Sequence, residues 1–278
     1  MSDLKLNTDA ECVVICDDSR RALKAFENKA DLIITSPPYA DARRSHYDSV
    51  APDDFCDWFM TFHEPLYNAL KPTGSLVINI KDKVVDGVRH RYVWHTIEAL
   101  IKKGWYSIDD YIWHKKNSMP GYWPARLRDA WEYCFHLAKC TRPYFNAYAV
   151  AQPASKATEL RLKKLGKNDL TLRSSSSGSN FKYNVSKWLN RKMVLPNNVM
   201  HLAAVTRNMG HPAAYPVALP SFFIKLLSPQ SGLVIDPFAG SGTTGIAARS
   251  VGRKCVLIDN NQAYCDTAIK LLQCTANQ

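Results

Sequence analysis

Short apolar runs alternate with helical patterns in both halves of this 278-residue chain, and this alternation restricts the possible folds more than any other feature. Branched apolar residues dominate 31–35 and 76–80 in the first half, and 233–235 and 255–258 near the end. Such runs are typical of buried strands. Strands separated by helices form a parallel sheet with both faces covered. The sequence therefore predicts an α/β fold with a doubly wound, mostly parallel sheet.

The remaining periodic segments continue the alternation of strands and helices. Further strands are expected at 12–16, 106–113 and 131–137. Apolar residues at helical spacing predict helices at 20–27, 53–70, 92–101, 221–227, 243–251 and 264–273. The motif 71–74, Lys-Pro-Thr-Gly, is expected to end the second of these helices.

A basic segment separates the two α/β halves. Residues 151–210 hold eleven of the 36 Lys and Arg residues but only two of the 25 acidic ones, and the net charge of the chain is +11. Lysines interleaved with aromatic residues suit a surface that binds phosphates and bases. Candidate contacts are Lys163, Lys164, Lys182 and Lys187. A solvated basic excursion without a partner is an equal alternative.

Several classes of protein are disfavoured. None of the eight cysteines forms a Cys-x-x-Cys pair, so we expect unpaired cysteines in a reducing compartment and no metal site. Residues 1–9 lack the apolar core of a signal peptide, and no segment is apolar enough to cross a bilayer. The expected location is the cytoplasm.

A glycine-rich motif follows the apolar run at 233–235. Asp236 ends this run, Gly240 and Gly242 allow a ligand close to the backbone, and the next helix offers free N–H groups to an anion. Asp259 ends the following strand, 23 residues later, where a carboxylate can accept from ribose hydroxyls. A Walker phosphate loop is excluded because no Lys follows Gly242. A nicotinamide site and a purely structural turn are the alternatives.

A proline-rich motif follows the strand at 31–35. Pro37 and Pro38 fix a rigid turn after Ser36, and Tyr39 presents a flat ring beside it. A planar heterocycle could stack on Tyr39 while its amino group donates to Ser36 Oγ and to the Pro37 carbonyl. A simple turn is the alternative interpretation of this motif taken alone.

The two motifs together resemble those of the amino-group DNA methyltransferases, which use S-adenosylmethionine. Ser-Pro-Pro-Tyr at 36–39 comes first and Asp-Pro-Phe-Ala-Gly-Ser-Gly-Thr-Thr at 236–244 comes last. This order is similar to that of the circularly permuted β group, which includes N4-cytosine enzymes. Asp17-Asp18, the 71–75 motif and the His211–Pro216 segment also match. The resemblance implies a Rossmann-like fold with its catalytic half at 1–142, a target-recognition insertion at 143–209 and its cofactor half at 210–278.

The resemblance also implies a role for each matched residue. Asp18 matches the acid that meets the adenine amino group of the cofactor, but Asp17 occupies a position usually held by glycine, so either acid is a candidate for this contact. His211 and Pro216 would close the site near the cofactor carboxylate, and Asp259 would bind the ribose. Ser36, Pro37, Pro38 and Tyr39 would form the catalytic site. The residues expected around the methionine moiety are Asp236, Phe238, Gly240, Gly242, Thr243 and Thr244.

The expected reaction is methylation of cytosine N4 in double-stranded DNA, because Ser36 is typical of N4-cytosine enzymes. The target base must leave the helical stack, and Arg43 and Arg44 are candidate contacts to its strand. An N6-adenine enzyme and a catalytically decayed DNA-binding protein are alternatives, and methylation of RNA or protein amides is a more distant one. A cognate restriction endonuclease is a candidate partner, the chain is expected to be a monomer or a homodimer, and association with the nucleoid is expected.

Overall fold

The computed structural model describes residues 11–41, 50–118, 121, 123–164, 192–205 and 215–276. The first half contains β1 Cys12–Cys16, α1 Ser19–Ala22, β2 Ala30–Thr35, α2 Phe55–Met60, α3 His63–Ala69, β3 Leu70–Ile80, β4 Lys83–Val85, β5 Val88–His90, α4 Tyr92–Lys102, β6 Tyr106–Lys115 and β7 Trp131–Ala138. The second half contains β8 Gln152–Pro153, α5 Lys156–Lys163, β9 Met193–Val194, β10 Val199–Leu202, α6 Ala218–Leu227, β11 Leu233–Asp236, α7 Thr243–Ser250, β12 Lys254–Asp259 and α8 Gln262–Ala276.

Eight of these strands form one sheet in the order β1-β12-β11-β2-β3-β7-β6-β10. The five strands from β1 to β3 are parallel, β7 runs antiparallel to both β3 and β6, and β10 is parallel to β6. The predicted α/β fold with a mostly parallel sheet is therefore confirmed. The carboxyl ends of β1, β12, β11, β2 and β3 lie along one edge of the sheet, together with the amino end of β7.

The core is built around the centre of this sheet. All six residues of β2 are buried, which requires packing on both faces of the sheet. Phe55, Phe59 and Leu66 of α2 and α3 are fully buried, and so is Phe223 of α6. The apolar runs that the sequence assigns to strands therefore form the interior of the protein.

The segment predicted as one helix over 53–70 is divided into α2 and α3, so that prediction is wrong. The backbone N–H groups of Thr61 and Phe62 bond to carbonyls three residues earlier, and Thr61 Oγ1 donates to the Trp58 carbonyl at 2.7 Å. Such bonds tighten the chain into a 3₁₀ turn. The spacing of Phe55, Phe59 and Phe62 fits either arrangement, because residues three apart lie on one side in both.

Strand β3 begins earlier than the sequence predicts. It includes the Lys-Pro-Thr-Gly segment 71–74, and Leu70 already pairs with Ala30 of β2. The register shifts before Leu32 pairs with Ser75, so an irregularity accommodates the extra residues. The segment expected to be a turn after a helix is therefore the entry to the central strand.

Cys12 and Cys255 form a disulfide across the paired strands β1 and β12. The two residues are register partners, with a Cα–Cα distance of 4.5 Å, which lies in the range of natural disulfides. The expectation that all eight cysteines are unpaired is wrong for this pair. Residues 16, 56, 134, 140, 265 and 274 are free cysteines.

The chain divides into two compact units. The larger comprises residues 1–146 and 198–278, and the smaller comprises 147–197. In the described part of the smaller unit, β8 pairs with β9, and Ser155 caps α5 by accepting the backbone N–H of Thr158 at 3.1 Å. The predicted functional division into a catalytic half at 1–142, a target-recognition insertion at 143–209 and a cofactor half at 210–278 is a separate matter. It stays a prediction. Within the described ranges, no helix is long and apolar enough to span a membrane.

Candidate active site

The glycine loop, residues 237–242, and the proline turn, residues 36–39, follow neighbouring parallel strands. Strand β11 pairs with β2 through Val234 with Leu32 and Ile235 with Ile33. At the ends of these strands, Thr35 Oγ1 donates a 2.7 Å hydrogen bond to Asp236 Oδ1. The two sequence motifs, about 200 residues apart, therefore lie side by side at the edge of the sheet.

Asp236 is a buried carboxylate with protein partners on both of its oxygens. Its side chain is 1% exposed. Besides Thr35, it accepts from the Phe238 backbone N–H and the Tyr215 hydroxyl at 3.1 Å each, and from the Thr244 hydroxyl. Burial raises the pKa of the Asp236 carboxyl, which the donated hydrogen bonds oppose. The carboxylate therefore holds the glycine loop and the start of α7 in place.

Gly242 has two structural reasons to be glycine. Its φ of +88° lies in the left-handed region at the N-terminus of α7, and Gly240 has a φ of +52°. A Cβ added at Gly242 would also lie 2.8 Å from the Cβ of Ala268 on α8. A substitution here would strain the loop and displace α8.

Asp259 lies at the end of β12, next to the glycine loop. Its carboxylate accepts the backbone N–H of Gly240 at 2.8 Å and that of Asn261 at 2.9 Å. Burial raises the pKa of the Asp259 carboxyl, and these two hydrogen bonds oppose the rise. The side chain is partly exposed, and each oxygen retains a lone pair for a hydroxyl donor.

Asp17 and Asp18 follow β1 and lie beside the end of β12, because the Asp17 N–H donates to the Asp259 carbonyl at 3.0 Å. Hydrogen bonds from Arg21 and Arg20 lower the pKa of Asp17 and of Asp18, respectively. Asp18 caps α1 by accepting the Arg20 N–H at 2.8 Å, and its side chain is more exposed than that of Asp17.

An aromatic wall, formed by Trp58, Phe62 and Phe238, stands beside Asp18. The Phe238 ring lies 5.0 Å from that of Phe62 and 5.9 Å from that of Trp58, measured between centroids. The Arg20 guanidinium, which pairs with Asp18, lies 5.1 Å from the Phe62 centroid. An acid and a group of aromatic rings thus lie close together, a combination that suits a planar heterocycle.

Within the proline turn, Pro37 is buried, whereas Ser36, Pro38 and Tyr39 are partly exposed. The Tyr39 hydroxyl donates to Glu132 Oε2 at 2.7 Å, so the ring is held from its far end. Burial raises the pKa of the Tyr39 phenol well above its usual value, and the Glu132 carboxylate adds to the rise.

The other predicted residues differ in how far the structure describes them. Thr243 lies in the first turn of α7, and the Pro216 carbonyl accepts the Leu219 N–H at 2.9 Å at the start of α6. Lys163 and Lys164 are exposed in the smaller unit. Arg43, Arg44, Lys182, Lys187 and His211 lie outside the described residues.

Four polar residues of the site were not predicted. Thr35 and Tyr215 bind Asp236, Arg20 binds Asp18, and Glu132 binds Tyr39. Tyr215 lies within the 211–216 segment that resembles the methyltransferases, so this resemblance was a signal that could have found it. Glu132 lies within an ordinary strand pattern, and no sequence motif marks it as a residue of the site.

A family model described as DNA methylase, of the N6/N4 methyltransferases, matches residues 30–270. The chain belongs to this DNA methylase family. The family depends on S-adenosylmethionine, as the sequence predicts. Type II methyltransferase M.PvuII of Proteus hauseri is 28% identical to it over 272 residues, covering 89% of this chain and 79% of that protein. M.SmaI of Serratia marcescens is 26% identical over 292 residues, covering 92% and 89%.

Solved structures show the same fold. PvuII DNA methyltransferase, described as cytosine-N4-specific, superposes with a TM-score of 0.70 at 23% identity and covers 94% of this chain and 86% of its own. M1.HpyAVI, solved with S-adenosylmethionine, superposes with a TM-score of 0.58 at 22% identity and covers 94% and 100%. The predicted Rossmann-like methyltransferase fold is thereby confirmed.

The hydrogen bond from Thr35 to Asp236 gives a testable prediction about the site. Thr35→Val retains the shape of the side chain but removes a donor from a buried carboxylate. We expect the free energy of unfolding to fall by about 1–3 kcal/mol, measured by urea denaturation. Thr267→Val on α8, where the hydroxyl bonds only to the carbonyl of Ala263 in its own helix, is the control. Equal stability of the two variants would contradict the role given to Thr35.

Proposed function

We propose that this protein transfers a methyl group from S-adenosylmethionine to the exocyclic N4 of a flipped-out cytosine in double-stranded DNA. The observation that carries the proposal is the adjacency of the proline turn and the glycine loop, fixed by the bond between Thr35 and Asp236. A methyl donor and an acceptor amine must meet within van der Waals contact, and two neighbouring strand ends supply that proximity.

The residues around the glycine loop fit the chemistry of the cofactor. The N-terminus of α7 and the loop backbone suit a carboxylate, with Gly240, Gly242, Thr243 and Thr244 beside it. The free lone pairs of Asp259 suit the ribose hydroxyls. Both carboxylate oxygens of Asp236 already accept hydrogen bonds from the protein, so we assign Asp236 to holding the glycine loop in place. A direct contact between Asp236 and the cofactor stays a prediction. His211 and Pro216 stay predictions as well.

Asp18 is the better candidate for the adenine amino group. It is the more exposed of the two acids, and its partner Arg20 lies against Phe62 of the aromatic wall, which includes Phe238. Asp17 is held by Arg21, and its side chain is 13% exposed. We therefore assign adenine recognition to Asp18 and Phe238 together.

The proline turn supplies the groups that activate the amine. An exocyclic amine is a weak nucleophile, because its lone pair is delocalised into the ring. Acceptance of its two N–H bonds by Ser36 Oγ and by the Pro37 carbonyl localises that lone pair and stabilises the positive charge that develops on nitrogen. Pro38 keeps the turn rigid, and the base stacks on Tyr39 after leaving the duplex. The bound cofactor supplies an electrophilic methyl group on a sulfonium.

Two observations favour cytosine as the target base. Ser36 is typical of N4-cytosine enzymes, and both M.PvuII comparisons support the same choice, since the solved PvuII enzyme is described as cytosine-N4-specific. The alternative is an N6-adenine enzyme on the same fold. A decayed DNA-binding protein is disfavoured by the complete set of side chains at the strand ends. A partner endonuclease, as expected for a relative of type II methyltransferases, and a nucleoid location stay predictions.

Nucleoside analysis tests both the activity and the base. The purified protein is incubated with unmethylated plasmid and S-adenosylmethionine carrying a labelled methyl group, and the DNA is then digested to nucleosides. We expect the label in N4-methylcytosine alone. Label in N6-methyladenine would instead identify adenine as the target base. Unlabelled DNA together with measurable cofactor binding would support the alternative of a catalytically decayed DNA-binding protein.

A second test concerns the acceptor at Ser36. Ser36→Ala removes one of the two acceptors for the amine, so we expect the turnover number to fall by about 100-fold or more. Binding of DNA and of the cofactor should change little. Ser107→Ala, at an exposed position of β6, is the matched control and should retain full turnover. Wild-type turnover in Ser36→Ala would refute the assigned role.

A third test concerns the basic segment as the DNA surface. Lys163→Gln with Lys164→Gln removes two exposed charges, so the slope of log affinity against log salt should become shallower by about two. The paired control is Lys102→Gln with Lys103→Gln, at exposed positions at the end of α4. An unchanged slope in the first variant would show that DNA binds elsewhere.

A further inference from the structure

A second buried carboxylate, Glu132, stands at the site and has no part in the reaction as described above. It is the second residue of β7, directly opposite Trp113 of β6 and next to Tyr133, which pairs with the last residue of β3. The amino end of β7 lies at the same sheet edge as the carboxyl end of β2. Glu132 is 5% exposed, so its charge must be compensated by the protein.

Both oxygens of Glu132 have partners. Oε2 accepts the Tyr39 hydroxyl at 2.7 Å, and Oε1 accepts the Lys115 ammonium. Lys115 is itself held over the Trp113 ring, 4.7 Å from its centroid. A buried ion pair of this kind is weak evidence for stability, because apolar residues of similar volume often stabilise a protein equally well. Its position against the proline turn suggests a role in orienting Tyr39.

The partners of Tyr39 set the direction of its hydroxyl. A carboxylate beside an ammonium only accepts, so the Tyr39 proton must point to Glu132. This bond fixes the far end of the Tyr39 ring, which is partly exposed within the proline turn. Burial raises the pKa of the Tyr39 phenol and the Glu132 carboxylate adds to the rise, so the phenol keeps the proton that it donates to Glu132.

We propose that Glu132 is a positioning residue that acts through Tyr39, holding the ring in the orientation on which the target base stacks. This inference rests on the proposed function, in which the flipped base lodges on Tyr39. A ring free to change its side-chain torsions would present its face to the base only part of the time. The hydrogen bond from Tyr39 to Glu132, which is itself paired with Lys115, restricts those torsions.

A double-mutant cycle tests this coupling with Glu132→Gln, Tyr39→Phe and the variant with both changes. Tyr39→Phe retains the ring and leaves the Glu132–Lys115 pair intact, so it tests the inference even if Glu132→Gln folds poorly. Each single change should lower the turnover number by about tenfold, which corresponds to the loss of one hydrogen bond to a charged group. The KM for S-adenosylmethionine should change little. The double variant should be no slower than the slower single variant, because both changes remove the same hydrogen bond between Tyr39 and Glu132.

Two matched controls remove the same groups elsewhere. Glu98→Gln lies at an exposed position of α4, and Tyr106→Phe lies at an exposed position of β6. Both should retain wild-type turnover. A lower turnover in either control would show that the assay responds to general destabilisation, and the coupling would then lose its support.

Three outcomes would overturn the inference. One is full turnover in Tyr39→Phe, and another is a double variant whose loss equals the product of the two single losses. The third is a lower melting temperature in Glu132→Gln with unchanged turnover of the folded protein, which would make Glu132 merely structural. All three require an active wild-type enzyme. If the wild type transfers no labelled methyl group to any DNA, the proposed function itself fails, so the two failures are distinguishable.

Discussion

The hydrogen bond between Thr35 and Asp236 is the interaction on which the site depends. A carboxylate buried at the end of a strand must be hydrogen-bonded, and Asp236 satisfies that need with donors from β2, from its own loop, from α7 and from Tyr215. One side chain thereby joins two strand ends that are 201 residues apart in the chain. The proline turn and the glycine loop are consequently held side by side by the protein's own hydrogen bonds.

The edge of the sheet offers two different environments on either side of Asp236. Toward β12 and β1, Asp259 is partly exposed and retains lone pairs that suit hydroxyl donors. Asp18 is also partly exposed, and its carboxylate is paired with Arg20. Toward β7, Glu132 is enclosed, and its partners are Tyr39 and Lys115. In the proposed reaction the first environment binds the cofactor, and the second prepares the surface that receives the base.

The parts of the fold that depend on local patterns were predictable, and those that depend on distant neighbours were not. Apolar runs such as 31–35 identified buried strands, because periodicity is a property of a few adjacent residues. The helix predicted over 53–70 failed because the spacing of Phe55, Phe59 and Phe62 is compatible with a 3₁₀ turn as well. Glu132 was missed because its partner Tyr39 lies 93 residues away, and nothing near it in sequence marks it.

The sequence by itself determined the class of sheet, the two motifs at its strand ends and the family to which the chain belongs. These follow from side-chain chemistry and spacing within short segments. Only the tertiary structure decided that β2 lies between β11 and β3, that Asp236 is occupied by protein donors, and that Tyr39 is tied to Glu132. Strand order and hydrogen-bond partners are set by how distant segments pack together, and no local pattern in the chain encodes that choice.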